Sequence, residues 1–442
     1  MTDEVTELLQ TLIRNECVND GTQGSGQEQR SVDTLTGYLG AAGLESETYK
    51  AVPGRTSLVS RIEGRNPEAP TLLLMGHTDV VPVSPEGWDR DPFGGEVVDG
   101  MVWGRGAVDM LNMTASMAVA MKRLAASGFT PEGTLAYLAV ADEESRGVYG
   151  ADHLVRHEHD AVAADYVITE TGGFRFPTSS GPRLPVLVGE KGTFWCTLRI
   201  SGTPGHGSQP FRTDNALVKA SRVVQRLADY EPTARVTDIW REFVRGIELP
   251  DEAAKVLADP DRLGDDDTLP LGMARMAHSS THTTVAPTIM HGGTKTNVIP
   301  DRVDLRLDIR TLPGDNEAEV RAMLDDALGE LAGDVEVVEY HDDPATESPV
   351  DTPLWHHLET VASEMVQGSA LVPMLMIGAT DARFFRRAGS VAYGFSLFSE
   401  RLEYDDYATM FHGHNERVDQ ESLALATDLW QRVAREVVGT PQ

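Results

Sequence analysis

The sequence is short of cysteine and of positive charge. It has 2 cysteines, Cys17 and Cys196, in 442 residues, too few for a disulfide framework, which favours a reducing compartment and predicts a cytoplasmic protein. Lysine and arginine together number 38, against 69 aspartates and glutamates, for a net charge of −31. Such an acidic chain is a poor ligand for nucleic acid and for anionic membrane surfaces. The composition therefore predicts no nucleic-acid partner and no membrane partner.

Long apolar runs are also missing, since no run approaches the roughly 20 residues that span a bilayer. The N-terminal segment, residues 3–16, is acidic and repeats its apolar residues at helical spacing, so it predicts a folded helix rather than a signal peptide. Apolar residues make up 40% of the chain and charged residues 24%, as in ordinary globular proteins. The length allows two or more domains.

Up to about residue 185, strand patterns alternate with helical patterns. Short aliphatic runs at 56–64, 71–77, 133–144 and 164–171 predict strands, and the periodic segments between them predict helices. Strands separated by helices of this length predict an α/β fold, with a mostly parallel sheet covered by helices.

The pattern changes between residues 186 and 344. Its β-α-β-β-α-β order fits a ferredoxin-like α+β module, which carries an extra segment at about 232–280. After residue 345 the alternation resumes, so the module is predicted to be inserted into a larger domain made of residues 1–185 and 345–442. An insertion leaves two crossovers between domains, an arrangement suited to a cleft.

Polar side chains follow the predicted strands and helices at their ends. The stretch TLLLMGHTDVVP delivers two of them directly after a buried strand, and ligands collect at such strand ends in parallel sheets. The candidates at element ends are His77, Asp79, Asp109, Glu143, Glu144, Glu170, His412 and His414. Imidazoles mixed with carboxylates suit zinc, cobalt or manganese. Two divalent ions that share a carboxylate need about this inventory.

Adjacent glutamates on an extended chain point to opposite sides. We therefore expect different roles for Glu143 and Glu144, one binding metal and the other free to move protons. Taken singly, each candidate is more often a solvated cap or a loop residue, and only their order along the chain distinguishes them.

In that order the motifs resemble the di-zinc metallopeptidase and amidohydrolase family of aminoacylase, acetylornithine deacetylase, succinyl-diaminopimelate desuccinylase and glutamate carboxypeptidase. The resemblance covers most of the chain and is carried by GHTDVVP, GRGAVDM, DEE, ITET, GTPGHGSQP, TKTNVIPD, IGATDARF and FHGHNE. It implies a zinc-peptidase-like fold whose inserted module serves as a lid and dimerisation domain. It also implies a homodimer with two divalent metal ions per chain, zinc first, with cobalt and manganese as alternatives.

The resemblance assigns roles to individual residues. The implied metal ligands are His77, Asp109, Glu144, Glu170 and His412. Asp109 would bridge the two ions, and the peptide between it and Met110 would be cis. Glu143 would be the general base, and Asp79 would orient His77 through its other ring nitrogen. His414 falls at a variable position and would be only a neighbour.

Further roles fall on the inserted module and on the C-terminal part. His206, in GTPGHGSQP, would reach the neighbouring subunit's active site and stabilise an oxyanion there. Asn297 and Arg310 would hold the substrate's carboxylate. Arg383, in TDARF, is a second candidate for that task, although an arginine that follows an aspartate can simply pair with it.

The implied activity is metal-dependent hydrolysis of an amide bond adjacent to a free carboxylate. The substrate would be a small peptide or an N-acyl amino acid, and the enzyme a peptidase, a carboxypeptidase or a deacylase. A biosynthetic succinyl-diaminopimelate desuccinylase or acetylornithine deacetylase is the alternative, which the extra segment at 232–280 disfavours. A two-metal phosphoesterase fits less well because no glycine-rich phosphate cradle is present. A non-catalytic binding protein fits less well because every ligand and the base are retained.

Overall fold

The computed structural model describes residues 3–263, 269–402 and 404–439, apart from the side chains of residues 404 and 405. The helices are α1 (Glu4–Arg14), α2 (Gln29–Gly40), α3 (Leu111–Ala126), α4 (Ala151–His157), α5 (His159–Val162), α6 (Ala216–Ala228), α7 (Asp238–Gly246), α8 (Asp251–Ala258), α9 (Leu271–Thr281), α10 (Glu317–Leu328), α11 (Pro353–Met365), α12 (Ala382–Arg387), α13 (Tyr404–Met410) and α14 (Gln420–Val438). None of these helices combines the length and the apolar character needed to cross a bilayer, in the part of the chain that is described.

The strands are β1 (Ser46–Val52), β2 (Arg55–Ile62), β3 (Leu72–His77), β4 (Glu96–Val98), β5 (Met101–Trp103), β6 (Leu135–Val140), β7 (Tyr166–Thr169), β8 (Arg183–Glu190), β9 (Gly192–Ser201), β10 (Gly205–His206), β11 (Thr284–Gly292), β12 (Val298–Ile299), β13 (Arg302–Thr311), β14 (Val335–Asp343), β15 (Thr346–Glu347), β16 (Ala370–Met376), β17 (Val391–Gly394) and β18 (Arg417–Asp419).

The larger sheet has the order β1-β2-β6-β3-β7-β17-β8-β15, with β16 paired to β8. Its centre, β6-β3-β7-β17, is parallel, and both flanks contain antiparallel pairs. Helices α1, α3, α11 and α14 contribute to one core cluster against this sheet, and α4 and α12 to a second one. The α/β fold is therefore confirmed, and the sheet is mixed, with its parallel part at the centre.

The smaller sheet is antiparallel and has the order β11-β13-β9-β14. Alternate residues of β9, among them Phe194, Cys196 and Leu198, point into a core that α6 and α10 complete. This period of two is the strand pattern expected when one face of a sheet is buried. Chain order and sheet order together are those of a ferredoxin-like module.

The first crossover between the two sheets lies later than the sequence pattern predicts. The apolar run that begins at residue 185 is not one strand, because β8 belongs to the larger sheet and β9 to the smaller one, with Lys191 between them. The chain returns at residues 344–345. The two crossovers lie against each other. Gly192 in the first packs so closely on Ala345 in the second that an added Cβ atom would collide with the Ala345 main chain and with Thr311. We call residues 3–190 and 345–439 the large unit and residues 192–343 the small unit.

The extra segment of the small unit forms α7, α8 and α9, which we call the helical insertion (residues 238–281). Its core residues, including Trp240 and Phe243, share a cluster with Val372 of β16. The guanidinium Nε of Arg183 on β8 donates to the main-chain oxygen of Gly246 at 2.9 Å. The helical insertion is thus part of the small unit in sequence, but it packs on the large unit.

Candidate metal centre

Three adjacent parallel strands deliver the first side chains of the site. His77 is the last residue of β3, Glu143 and Glu144 follow β6, and Glu170 follows β7. The strand register pairs His77 with Val140 and sets β7 directly beside β3. Because the carboxyl ends of parallel strands meet at one edge of the sheet, the backbone alone brings these four side chains together.

Asp109 and His412 reach the same point from elsewhere in the chain. Asp109 lies just before α3, and its peptide bond to Met110 is cis, as the resemblance implies. Its Oδ1 is 3.2 Å from His77 Nε2, and its Oδ2 is 3.2 Å from His412 Nε2. His412 Nε2 is also 3.1 Å from Glu144 Oε2, and His77 Nε2 is 3.8 Å from Glu170 Oε2. One carboxylate therefore stands between two imidazoles.

The donor atoms fit a pair of divalent cations. The ligand atoms of His77, Asp109 and Glu144 all lie within 4.8 Å of one another, and so do those of His77, Glu143 and Glu170. Glu144 Oε1 is buried and has no hydrogen-bond partner, so an acceptor oxygen is left for a cation. Nitrogen and oxygen donors without thiolate suit zinc, cobalt or manganese.

The electrostatics of the cluster also call for positive charge. Burial and the charge of Asp109 raise the pKa of Glu144 to about 7, and burial together with Glu170 raises that of Glu143 well above its usual range. Hydrogen bonds to Asp109 and Glu144 raise the pKa of His412 to about 10. Carboxylates crowded in this way resist simultaneous ionisation, and a bound cation relieves that cost.

Asp79 lies next to the cluster, but its carboxylate does not bind the second ring nitrogen of His77 as the resemblance implies. The Nδ1 of His77 is 2.9 Å from the main-chain oxygen of Asp79, and the Asp79 carboxylate is 3.8 Å away from it. That carboxylate instead accepts hydrogen bonds from Asn19 Nδ2 (2.8 Å) and from the main-chain N–H groups of Glu143 (3.2 Å) and Glu144 (3.1 Å). The main chain of Asp79 orients the imidazole, whereas its side chain holds the glutamate turn.

Glu416 and Arg105 are functional candidates that the sequence analysis did not single out. The buried carboxylate of Glu416 accepts from the main-chain N–H groups of Val108 (2.6 Å) and Asp109 (2.9 Å) and from Arg105 Nη1 (2.8 Å). Arg105 Nη2 in turn donates to the main-chain oxygen of Gly413 at 3.0 Å. The pair thus joins the loops that carry Asp109 and His412. Arg105 lies in the motif GRGAVDM and Glu416 in the motif FHGHNE. Membership in these motifs was the sequence signal that could have identified them.

Backbone strain gathers at the same place. Asp142, Thr171 and His412 have φ angles of 69°, 71° and 55°, in the left-handed region that costs a non-glycine residue roughly 1–2 kcal/mol. Each of them is a predicted site residue or stands next to one. Strained residues of this kind persist where the surroundings fix them, and they cluster at functional sites.

A cavity of about 380 Å³ opens over the cluster and is shared by the two units. The large unit lines it with Asp109, Glu143, Glu144, Glu170 and His412, and the small unit with Thr193, Trp195, Arg310 and His341. Arg310 is held by Asp308, with Nε–Oδ1 at 2.7 Å, and by Thr193 Oγ1 at 3.1 Å. The structure therefore places a fixed guanidinium across the cavity from the cluster.

The remaining predicted residues lie elsewhere or have other partners. His206 and Asn297 are neighbours on the small unit, since Gly207 N–H donates to the Asn297 main-chain oxygen at 2.8 Å. Both side chains are exposed, and neither is among the described residues that line the cavity. Arg383 lines it, but is only 4% exposed, and each of its guanidinium nitrogens donates to a protein acceptor.

Two smaller expectations can also be placed. The ring of His414 lies against Gly87, apart from the groups whose ligand atoms converge. Cys17 and Cys196 are both buried and unpaired, as the composition predicts.

Comparison with known proteins supports the assignment that the motifs suggest. The family described as Peptidase family M20/M25/M40 matches residues 73–436. Aminoacylase-1 of Sus scrofa is 27% identical over 404 residues, which are 90% of this chain and 88% of that protein.

Two solved structures show the same fold. The M20 family metallo-carboxypeptidase Sso-CP2 from Sulfolobus solfataricus matches with a TM-score of 0.73 and 18% identity, over 99% of both chains. The di-peptidase Dug1p from Saccharomyces cerevisiae matches with a TM-score of 0.70 and 17% identity, over 99% of this chain and 96% of that one.

Proposed function

The chain belongs to peptidase family M20/M25/M40, and we propose that it cleaves an amide bond next to a free carboxylate with the help of two divalent cations. It is a metal-dependent amide hydrolase of the peptidase or N-acyl-amino-acid deacylase type. The observation that carries the finer proposal is a single cavity with the carboxylate and imidazole cluster on one wall and Arg310 on the other.

The cations would be held by His77, Asp109, Glu144, Glu170 and His412, with Asp109 between them. Zinc is the first choice for this donor set, and cobalt or manganese would also fit. When bound, such ions supply Lewis acidity toward the carbonyl oxygen and lower the pKa of water. This division leaves Glu143 as the carboxylate that is free for proton transfer.

Glu143 would act as the general base. It accepts a proton from the attacking water and returns that proton to the leaving nitrogen, so that the nitrogen leaves as an amine and not as an amide anion. The hydrogen bonds from the Glu143 and Glu144 N–H groups to the Asp79 carboxylate fix the turn that presents the base. Position matters here because a misplacement of about 1 Å can lower a rate roughly 100-fold.

Arg310 would hold the substrate's carboxylate. Asp308 accepts from its Nε and Nη2 atoms and Thr193 from its Nη1 atom, so a substrate carboxylate would bind the remaining N–H groups of Nη1 and Nη2. A carboxylate bound there places the adjacent amide bond over the cluster. Small peptides and N-acyl amino acids are the substrates that carry both groups in this relation.

His206 and Asn297 would act in a homodimer, reaching the neighbouring subunit's cavity. Support comes from their exposure at a distance from the cavity of their own chain, and from the adjacent surface. Strand β11 is an edge of the smaller sheet, with Ile289 and Met290 exposed, and Leu217 is exposed on the neighbouring α6. Exposed apolar side chains along a free strand edge are typical of an interface between copies. The small unit would then serve as both lid and dimerisation domain.

The cellular location stays an inference from composition. Two buried, unpaired cysteines fit a reducing compartment, and we propose the cytoplasm. A biosynthetic desuccinylase or acetylornithine deacetylase remains the alternative, with the same chemistry on a different acyl group.

A substrate panel tests the proposal. The purified protein, loaded with zinc or with cobalt, is assayed on N-acetyl amino acids, dipeptides, N-succinyl-diaminopimelate and N-acetylornithine. For the best substrate we expect kcat/KM to fall roughly 10- to 100-fold when its carboxylate is replaced by a carboxamide, because a charged hydrogen bond is lost. Turnover of a phosphate ester alone, or equal turnover of acid and amide, would contradict the proposal.

A further inference from the structure

Helix α12 carries three arginines that bind the two crossovers between the units. Arg386 pairs with Glu190, the last residue of β8, with Nη1–Oε1 at 3.0 Å and both side chains almost fully buried. Arg387 pairs with Asp343, the last residue of β14. One short helix of the large unit thus fastens the strand that leaves it and the strand that returns to it.

The third arginine, Arg383, has an additional partner. Its Nε donates to Asp343 Oδ2 at 2.9 Å, and its Nη2 donates to the main-chain oxygen of Arg146 at 2.7 Å. Arg146 follows directly on the short helical turn that carries Glu143 and Glu144, and its own N–H donates to the Glu143 oxygen at 3.0 Å. One guanidinium therefore connects the end of a small-unit strand with the turn that presents the base.

We propose that Arg383 is a positioning residue that holds the Glu143–Glu144 turn in register with the small unit through Asp343. The proposal rests on the proposed function, in which Glu143 is the base. Arginine presents its donors in a rigid plane, so a bond to Asp343 on one side and to Arg146 on the other fixes the distance between them. A displacement of Asp343 must then move the turn or break a buried ion pair.

This assignment replaces the role of carboxylate binder that the motif TDARF suggested for Arg383. A carboxylate binder must be accessible to the substrate, and the side chain of Arg310 on the facing wall is 26% exposed, whereas that of Arg383 is 5% exposed. In Arg383 the Nε, Nη1 and Nη2 atoms each have a protein acceptor, and the ion pair with Asp343 is largely buried. The Asp343 carboxylate and two main-chain oxygens of the protein therefore already bind the three nitrogens of this side chain.

The experiment compares Arg383→Lys with Arg387→Lys. Lysine keeps the charge at either position but cannot bridge two acceptors in a plane. Arg387 contacts Asp343 too, and has no bond to the turn, so it is the matched control. Both variants are assayed, as metal-loaded enzyme, on an N-acetyl amino acid and on its carboxamide.

For Arg383→Lys we expect kcat to fall roughly 10- to 100-fold, by the same factor on both substrates, with KM within about twofold of wild type. Bound metal and the unfolding temperature should match those of Arg387→Lys, whose kcat should stay within about threefold of wild type. Asp343→Asn should show a loss in the same direction, and combining it with Arg383→Lys should add little to the larger single loss, because both changes break one bridge.

Two results would overturn the proposal. A rise in KM confined to the substrate with a free carboxylate would make Arg383 a substrate-binding residue. An equal loss in Arg387→Lys would reduce its role to general support of the crossovers. If Arg383→Lys does not fold, the Asp343→Asn variant, assayed on the N-acetyl amino acid and on its carboxamide, still decides the question. Failure of the proposed function itself would look different, because wild type would then cleave neither substrate or would cleave the acid and its carboxamide equally well.

Discussion

The two walls of the cavity were assembled in different ways. On the large unit, the five candidate ligands and the proposed base Glu143 come together within one chain, and the ligands' ring nitrogens and carboxylate oxygens are 3.1–3.8 Å apart. Of the three site residues predicted on the small unit, Arg310 lines the cavity, whereas His206 and Asn297 are not among the described residues that line it. Residues at the ends of neighbouring parallel strands are brought together by the backbone. Residues on an inserted unit depend on where that unit sits, and on whether a second copy is present.

The largest expected effect comes from removing the metal ions from the cluster on the large unit. We expect a chelator to abolish turnover, because the cations supply the Lewis acid and the activated water, and zinc or cobalt to restore it. Elemental analysis should give about two metal ions per chain. Full activity of the metal-stripped protein, or a reproducible metal content near zero after loading, would contradict the ligand assignment.

The next effect concerns the base alone. Glu143→Ala should retain its metal and lose roughly 10²- to 10⁴-fold in kcat, the usual contribution of general acid–base catalysis. Glu359→Ala, on the exposed side of α11, is the surface control and should behave as wild type. A Glu143→Ala enzyme that keeps near-normal turnover would show that another group takes the proton.

A mixing experiment tests the second wall. His206→Ala should lose roughly 10²- to 10³-fold in kcat, the scale for one oxyanion donor. If His206 acts across a dimer, re-forming dimers from equal amounts of His206→Ala and Glu143→Ala should restore roughly a quarter of wild-type activity, because half of the dimers then hold one intact site. Confirmed heterodimers without any recovery would place His206 in its own chain's chemistry or outside it.

The smallest effect compares the stability of the two units, each of which contains one cysteine. Burial raises the pKa of Cys17 to about 11 and that of Cys196 to about 12, so at pH 8 almost no thiolate forms in the native state. We expect neither to react with iodoacetamide without denaturant. As urea rises, Cys196 should be labelled before Cys17, because the small unit has the smaller core. Mass spectrometry reports the order, and the reverse order would contradict it.

The same thiols predict a dependence on pH. Both have folded-state pKa values above the usual value of 9.0, so the unfolded chain loses these protons first. Their contribution to stability is therefore complete below pH 9 and declines as the pH rises above it.

What the sequence predicted well were features that depend on local pattern. The apolar spacing of the N-terminus predicted α1, whose Val5, Leu9 and Leu12 are buried. The aliphatic runs predicted the central strands, and once these were parallel their ends had to converge. The motifs at these strand ends predicted the family and its amide-hydrolase activity, and the comparisons with known proteins confirm both.

What escaped prediction depends on partners distant in sequence. The edge strand β1 is largely polar and has no fully buried residue, so it lacks the apolar alternation that marks a half-buried strand. The segment is largely buried on both sides of Lys191, and its local pattern does not show that its two halves join different sheets. The role of Glu416 could not be predicted, because its partners are Arg105 and the Asp109 loop, which lie some 310 residues earlier in the chain.

The helical insertion decides what movement the small unit can make. It interrupts the small unit between α6 and β11, but it packs against β16 and accepts a hydrogen bond from Arg183, both in the large unit. The polypeptide therefore passes between the two bodies four times rather than twice. We expect four connections to restrict the relative movement of the two units more than two would. Residues 229–237, which form neither helix nor strand, join α6 to the helical insertion, and we expect that shortening this stretch lowers turnover although it changes no candidate metal ligand.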